Sequence, residues 1–158
     1  MSLLGTVVAD CVAWATWSLV VGLFASRIPP EALAHDSWVT RIRPVERDGR
    51  AYERLRIRRW KDAVPDAGTW FGGRSKRGLD GRDATTLARF AVETRRAELV
   101  HWLVLALTPF FVLWNPLGLF LAMVAYGVIA NVPCIAIQRY NRARIGRALR
   151  IGARRAAA

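Results

Sequence analysis

Glu98 and His101 stand three residues apart in FAVETRRAELVHWLVLALTPFF (Phe90–Phe111), where a polar stretch becomes an apolar one. A helix puts such a pair on one face, close enough to hydrogen-bond. At 100° per residue, Thr94, Glu98, His101, Leu105 and Thr108 fall within an arc of about 80°. A carboxylate beside an imidazole suits general-base chemistry: Glu98 would hold the tautomer and stabilise the imidazolium while His101 takes a proton. An ionisable group one turn inside an apolar segment usually faces the protein interior and marks a functional site. The competing reading is a helix-capping Glu and an interfacial His, both reaching back to headgroups.

The chain's last third supplies partners. LWNPLG (Leu113–Gly118) interrupts the apolar run from Leu99 to Ile137 with turn chemistry, so the run reads as two antiparallel helices. A hairpin turning near Pro116 and Leu117 brings His101 opposite Asn131 or Val132. Asn131, Gln138 and Arg142 share one helix face within about 40°. Pro133 removes an amide and should free the carbonyl of Ile129. Polar groups from two helices thus meet at one depth. Asn131, or a freed amide, could support an oxyanion. A purely structural hydrogen bond across the hairpin is the alternative.

Other chemistries fit poorly. No serine-nucleophile motif occurs, nor a Cys-x-x-Cys or His-x-x-x-His pattern. Glu-x-x-His also occurs in di-iron helical proteins, but that centre needs a second copy, which this chain lacks. No cofactor and no metal are expected. The fitting reaction is general-base attack of a hydroxyl on an activated acyl group.

The elements that must position these residues follow from charge. The 158 residues are 53% hydrophobic, with 24 Lys+Arg against 12 Asp+Glu. Seventeen of the basic residues lie from Arg27 to Arg96 and seven from Arg139 to Arg155, with none elsewhere. Blocks free of Lys and Arg between dense ones are the mark of an integral membrane protein. The predicted fold is all-α, a single membrane domain with spans near 4–25, 98–114 and 116–138. A basic segment over 26–97 and a basic tail over 139–158 should both face the cytoplasm, with the N-terminus outside. Because positive-inside bias explains the charge, no nucleic acid is expected as a partner. Cys11 and Cys134 fall at depths about 20 Å apart, so no disulfide is expected.

The segment between spans one and two mixes Trp38, Tyr52, Trp60, Trp70 and Phe71 with its charges, unlike a disordered linker. Leu55 and Ile57 alternate with arginines, which reads as a strand, with a helix as the alternative. GGRSKRGLDG (Gly72–Gly81) is a basic glycine-rich loop without phosphate-loop spacing. Asp83 is a plausible N-cap for a helix running straight into span two. Arg58, Arg59 and Lys61 could hold phosphates of an acyl donor or of lipids.

Three blocks carry a resemblance: ERDGRAYERLRIRRWKDAVPDAG (Glu46–Gly68), FAVETRRAELVHW (Phe90–Trp102) and NVPCIAIQRYNRARI (Asn131–Ile145). Together they resemble the glycosyl-4,4'-diaponeurosporenoate acyltransferases, small membrane proteins of staphyloxanthin-type carotenoid biosynthesis. The resemblance implies transfer of a fatty acyl group to a sugar hydroxyl of a membrane glycolipid. By matching blocks it nominates Trp60, Lys61, Asp62, Pro65, Glu93, Glu98, His101, Asn131, Pro133, Gln138, Tyr140, Asn141 and Arg142. Of these, Glu98, His101 and Asn131 form the expected catalytic set. Trp60, Lys61, Asp62, Glu93, Gln138, Tyr140, Asn141 and Arg142, with Arg96 from the basic junction, form the expected substrate-binding set. The implied partners are a membrane lipid or glycolipid acceptor and an activated acyl donor, acyl-CoA being one candidate. No oligomeric state follows. A second class stays open, a non-catalytic membrane module that binds lipid or scaffolds a partner enzyme. Small size favours that class, and the inward Glu98–His101–Asn131 cluster favours the enzyme.

Overall fold

A computed structural model describes residues 2–64 and 83–156. Pro65, Trp70, Phe71 and the glycine-rich loop lie outside the described residues. Among those described the chain is helical, with no strand. Helix α1 spans Leu3–Ser26, α2 Arg50–Arg54, α3 Ile57–Trp60, α4 Ala84–Leu107 and α5 Leu117–Ala156. Three stretches are long and apolar enough to cross a membrane: Leu3–Ser26, Ala84–Leu113 and Leu117–Arg154. The protein is therefore an all-α, multi-pass membrane protein.

Each long helix has a local cause. Ser2 caps α1, its hydroxyl accepting from the Gly5 amide at 3.2 Å. Pro29 and Pro30 follow its end. Asp83 caps α4, as its sequence predicts, accepting from the Thr86 amide at 3.2 Å. Hydrogen bonds from Thr85 and Thr86 hold the exposed Asp83 carboxyl down to about 2. Pro109 cannot continue the α-helical ladder, and Thr108–Leu113 tightens into a 3-10 turn before the Asn115–Pro116 corner. Helix α5 has 40 residues. At 1.5 Å per residue it is about 60 Å long, twice a hydrocarbon core of about 30 Å. Its far half packs Ile145 and Leu149 against Leu87, Phe90 and Ala91 of α4. The α4–α5 pair is thus a continuous antiparallel hairpin, with α1 laid against α4.

The stretch that could read as strand or helix forms two short helical turns. Arg56 breaks them with a left-handed backbone (φ 52°). Alternation would put Leu55 and Ile57 on one face. Instead Ile57 is buried against Ile137 and Tyr140, and Leu55 is exposed.

Three sets of contacts set how closely the spans approach. Trp14 and Trp17 of α1 pack against Phe111, the first tilted and the second edge-on, at centroid distances of 6.0 and 5.0 Å. Asp10, buried inside α1, accepts from Trp114 Nε1 and from Asn115 Nδ2, both at 2.7 Å. Across the hairpin, a Cβ on Gly127 would lie 2.7 Å from Thr108 Oγ1 and 3.0 Å from its Cγ2. Gly127→Ala would gain about 1 kcal/mol of helix propensity. Overpacking a buried helix contact costs about 1–3 kcal/mol. Because Thr108 is short and itself buried, the clash should win. Gly127→Ala is expected to lower the melting temperature in detergent by several degrees, and an increase would refute this account of the hairpin.

A buried carboxylate and a paired histidine at the candidate active site

The face expected to point inward does so. Thr94, Glu98 and Thr108 are buried and His101 is half-buried. On α5 the matching face, Asn131, Gln138 and Arg142, is buried throughout. Antiparallel pairing brings His101 Nδ1 to 3.0 Å from Asn131 Oδ1. Asn131 Nδ2 donates to the Gly127 carbonyl at 2.9 Å. That second bond orients the amide, so its oxygen must be the atom facing the ring. Nδ1 of a neutral His101 therefore carries the proton, and the lone pair resides on Nε2.

Glu98 takes partners that its spacing does not suggest. It has no exposed surface. Its Oε1 accepts from Arg139 Nη1 at 2.5 Å and from Trp102 Nε1 at 3.2 Å. Its Oε2 accepts from Arg142 Nη2 at 2.5 Å. The two guanidinium groups come from α5, so this carboxylate joins the helices one turn below His101. The described hydrogen bonds give the orienting contact on Nδ1 to Asn131.

Arg139 extends the network outward. Its Nε and Nη2 grip the Glu46 carboxylate in a fork, at 2.8 and 2.7 Å. Nη1 also donates to the Val39 carbonyl at 3.0 Å and Nη2 to the Arg41 carbonyl at 2.7 Å. With Glu98, these contacts occupy all the donors of the guanidinium. Arg142 Nη2 adds a short bond to the Thr40 carbonyl. Residues 39–46 thus form a strap across the hairpin, anchored through main-chain carbonyls and one carboxylate. Arg142 Nε lies 3.7 Å from Asp36 Oδ1.

The expected binding residues divide by location. Arg96 donates to the carbonyls of Ala25 and Ile28, the latter at 2.8 Å, and pairs with Glu93 at 3.3 Å. It therefore satisfies open carbonyls at the end of α1, where a cation is favoured. Tyr140 is enclosed in a core with Ile57, and Trp60 packs against that core. Lys61 pairs with Asp62 at 2.5 Å, away from the His101–Asn131 contact in sequence and element. Gln138 is buried and its Oε1 has no hydrogen-bond partner among the described residues, while Asn141 is half-buried. Sequence reasoning missed Glu46, Arg139 and Asp10. The acidic residue inside the first span was the available signal for Asp10. Nothing local in the sequence marks Glu46.

This architecture and buried ionic centre define a helical membrane protein with a paired histidine in its hairpin. A family model for glycosyl-4,4'-diaponeurosporenoate acyltransferase matches residues 35–151. Proteins of that name from Staphylococcus aureus strains MRSA252 and bovine RF122 / ET3-1 are each 30% identical over 151 residues. These matches cover 90% of this chain and 87% of each relative. The strain N315 protein is 28% identical over 144 residues, with the same coverage. No solved structure matches. The chain belongs to the glycosyl-4,4'-diaponeurosporenoate acyltransferase family. The matched region begins after α1 and contains Glu46, Glu98, His101, Asn131, Arg139 and Arg142.

The strap makes the fold acid-sensitive. Burial by itself would raise the Glu46 carboxyl. Hydrogen bonds from Arg139, Tyr52 and the Arg43 amide outweigh it and hold Glu46 below its ordinary value of 4.5. Burial, reinforced by Glu46, pushes the Tyr52 hydroxyl up, so it remains a donor. Below the ordinary value the unfolded chain binds a proton that folded Glu46 still refuses. The stabilisation is therefore complete above 4.5 and declines as pH falls through that value toward the depressed one. Glu46→Gln should melt lower than the parent at pH 7, and the gap should narrow below about pH 4.5. A gap constant from pH 7 to pH 3, measured in detergent, would contradict the ionic tether.

Proposed function

We propose that the protein is a membrane acyltransferase moving a fatty acyl group to a sugar hydroxyl of a glycosylated isoprenoid, carotenoid or related glycolipid at the inner leaflet. The observation that carries this reading is the oriented imidazole, His101 Nδ1 to Asn131 Oδ1 at 3.0 Å with the amide anchored on Gly127. His101 Nε2 takes the proton from the sugar hydroxyl as its oxygen attacks the acyl carbonyl carbon. The tetrahedral intermediate collapses, the imidazolium returns the proton to the leaving group, and an ester remains. With an acyl-CoA donor the leaving group is the thiol. Asn131 orients the ring in this scheme. Glu98 is enclosed and its oxygens are occupied, so it acts by positioning Arg139, Arg142 and α5. Lys61, Asp62 and Asn141 are the residues offered to donor and acceptor, while the expected binding residues Gln138 and Arg142 are buried and would act by holding the site together.

The test is lipid analysis of cells with and without the protein, followed by complementation. His101→Gln keeps hydrogen-bonding capacity but cannot take a proton at neutral pH. It should fold and insert yet lose about 10²- to 10⁴-fold in rate. Unchanged acyl-glycolipid levels in a well-folded His101→Gln strain would remove the catalytic role. They would leave the lipid-binding or scaffolding module as the reading.

The same reading puts the N-terminus outside and both basic blocks in the cytoplasm, making residues 26–97 a cytoplasmic segment of one membrane domain. Segregation of all 24 basic residues supports it. In a Cys-free background, Arg54→Cys should react with an impermeant thiol reagent only after the membrane is permeabilised. Labelling in intact cells would invert the topology.

A further inference from the structure

Trp102 has a feature that the reaction above does not use. It follows His101 on α4 and is 37% exposed, yet its indole Nε1 donates inward to Glu98 Oε1 at 3.2 Å. Glu98 has no exposed surface and is gripped by Arg139 and Arg142, each at 2.5 Å. The indole is therefore tethered at its single polar atom to a fixed, enclosed group. A tryptophan serving only as an interfacial anchor directs its N–H to headgroups or water. Here the donor is already engaged, and only ring surface remains to face outward. Ala106, one turn along the helix on the same face, is small and exposed. A rigid aromatic surface with no spare donor recognises by stacking rather than by hydrogen bonding.

We propose that Trp102 is a stacking platform for the sugar ring of the acceptor glycolipid. This rests on the acyl-transfer reading of His101. A pyranose carries hydroxyls around its rim and C–H groups on its faces. The weakly positive C–H face matches the negative face of the indole. Trp102 and His101 are neighbours on α4 about 100° apart around the helix, so ring and imidazole project from adjoining sides of it. A sugar stacked on Trp102 keeps its rim hydroxyls free, one of them directed toward His101. The platform makes the enzyme selective for glycosylated over unglycosylated acceptors.

The experiment uses the full chain in nanodiscs, with its tryptophans labelled as 5-fluorotryptophan. The Trp102 fluorine resonance is assigned as the one missing in Trp102→Phe. Glucosyl diacylglycerol should shift it, and diacylglycerol of the same chains should not. In turnover, Trp102→Leu should raise KM for the glycosylated acceptor about tenfold, with kcat changed much less. Trp102→Phe, which keeps a smaller ring face, should fall between. A Trp102 resonance indifferent to the sugar overturns the proposal, whether or not acyl transfer occurs. So does a Trp102→Leu enzyme with the parental KM. A sugar-responsive resonance in protein that transfers no acyl group supports the stacking site and instead removes the acyl-transfer reading.

Discussion

A carboxylate with no exposed surface must be neutralised by its own protein, and Glu98 is that carboxylate. Removing an ion from water costs several kcal/mol even after relaxation, and removing one partner of a buried pair costs about 3–5 kcal/mol. Arg139 and Arg142 meet that requirement from the opposite helix. They stand three residues apart, so both reach the carboxylate only in one rotation of α5 about its axis. A one-residue rotation would turn at least one guanidinium away. The ion cluster thereby sets the pairing of α4 with α5.

Other contacts inherit that setting. The same pairing puts Asn131 beside His101, and Gly127 beside Thr108. The polar tether and the close steric approach lie on one helix face, and each supports the other. At the opposite end, Asp10 binds Trp114 and Asn115, tying α1 to the hairpin corner. Near α1's other end, Arg96 holds the carbonyls of Ala25 and Ile28. Between these ties α1 presents mostly apolar side chains to its surroundings. Helices in lipid gain little from apolar contact with one another, so polar ties and close packing carry the association.

Membership in the acyltransferase family gives this construction a purpose. Two hydrogen bonds through Asn131 orient the His101 ring, and the buried ion cluster fixes the helices on either side of it. The reaction proposed above would use a base held in this way, in one tautomer and at fixed depth. The strap from Val39 to Glu46 covers the cluster through the carbonyls of Val39, Thr40 and Arg41 and through the Glu46 carboxylate. Carbonyl contacts need no particular side chains, so apart from Glu46 the strap's sequence is poor in signals of its role.

The sequence by itself determined that three helices are long and apolar enough to cross a membrane, that the last two turn within Leu113–Gly118, that Asp83 caps a helix, and that His101 faces Asn131 or its neighbour Val132. Lipid excludes Lys and Arg, proline and asparagine favour turns, and helical periodicity places facing residues, so each of these is a local or pairwise property. The partners of Glu98 are not. A helical i, i+3 spacing permitted His101, while the folded chain also offered two arginines more than forty residues away. The tertiary structure alone decided that the carboxylate would serve the arginines, and that Glu46 would join them from a distant strap. The physical reason is that charge is non-directional. A buried carboxylate takes whichever cations the fold brings within reach, and no local pattern records which those will be.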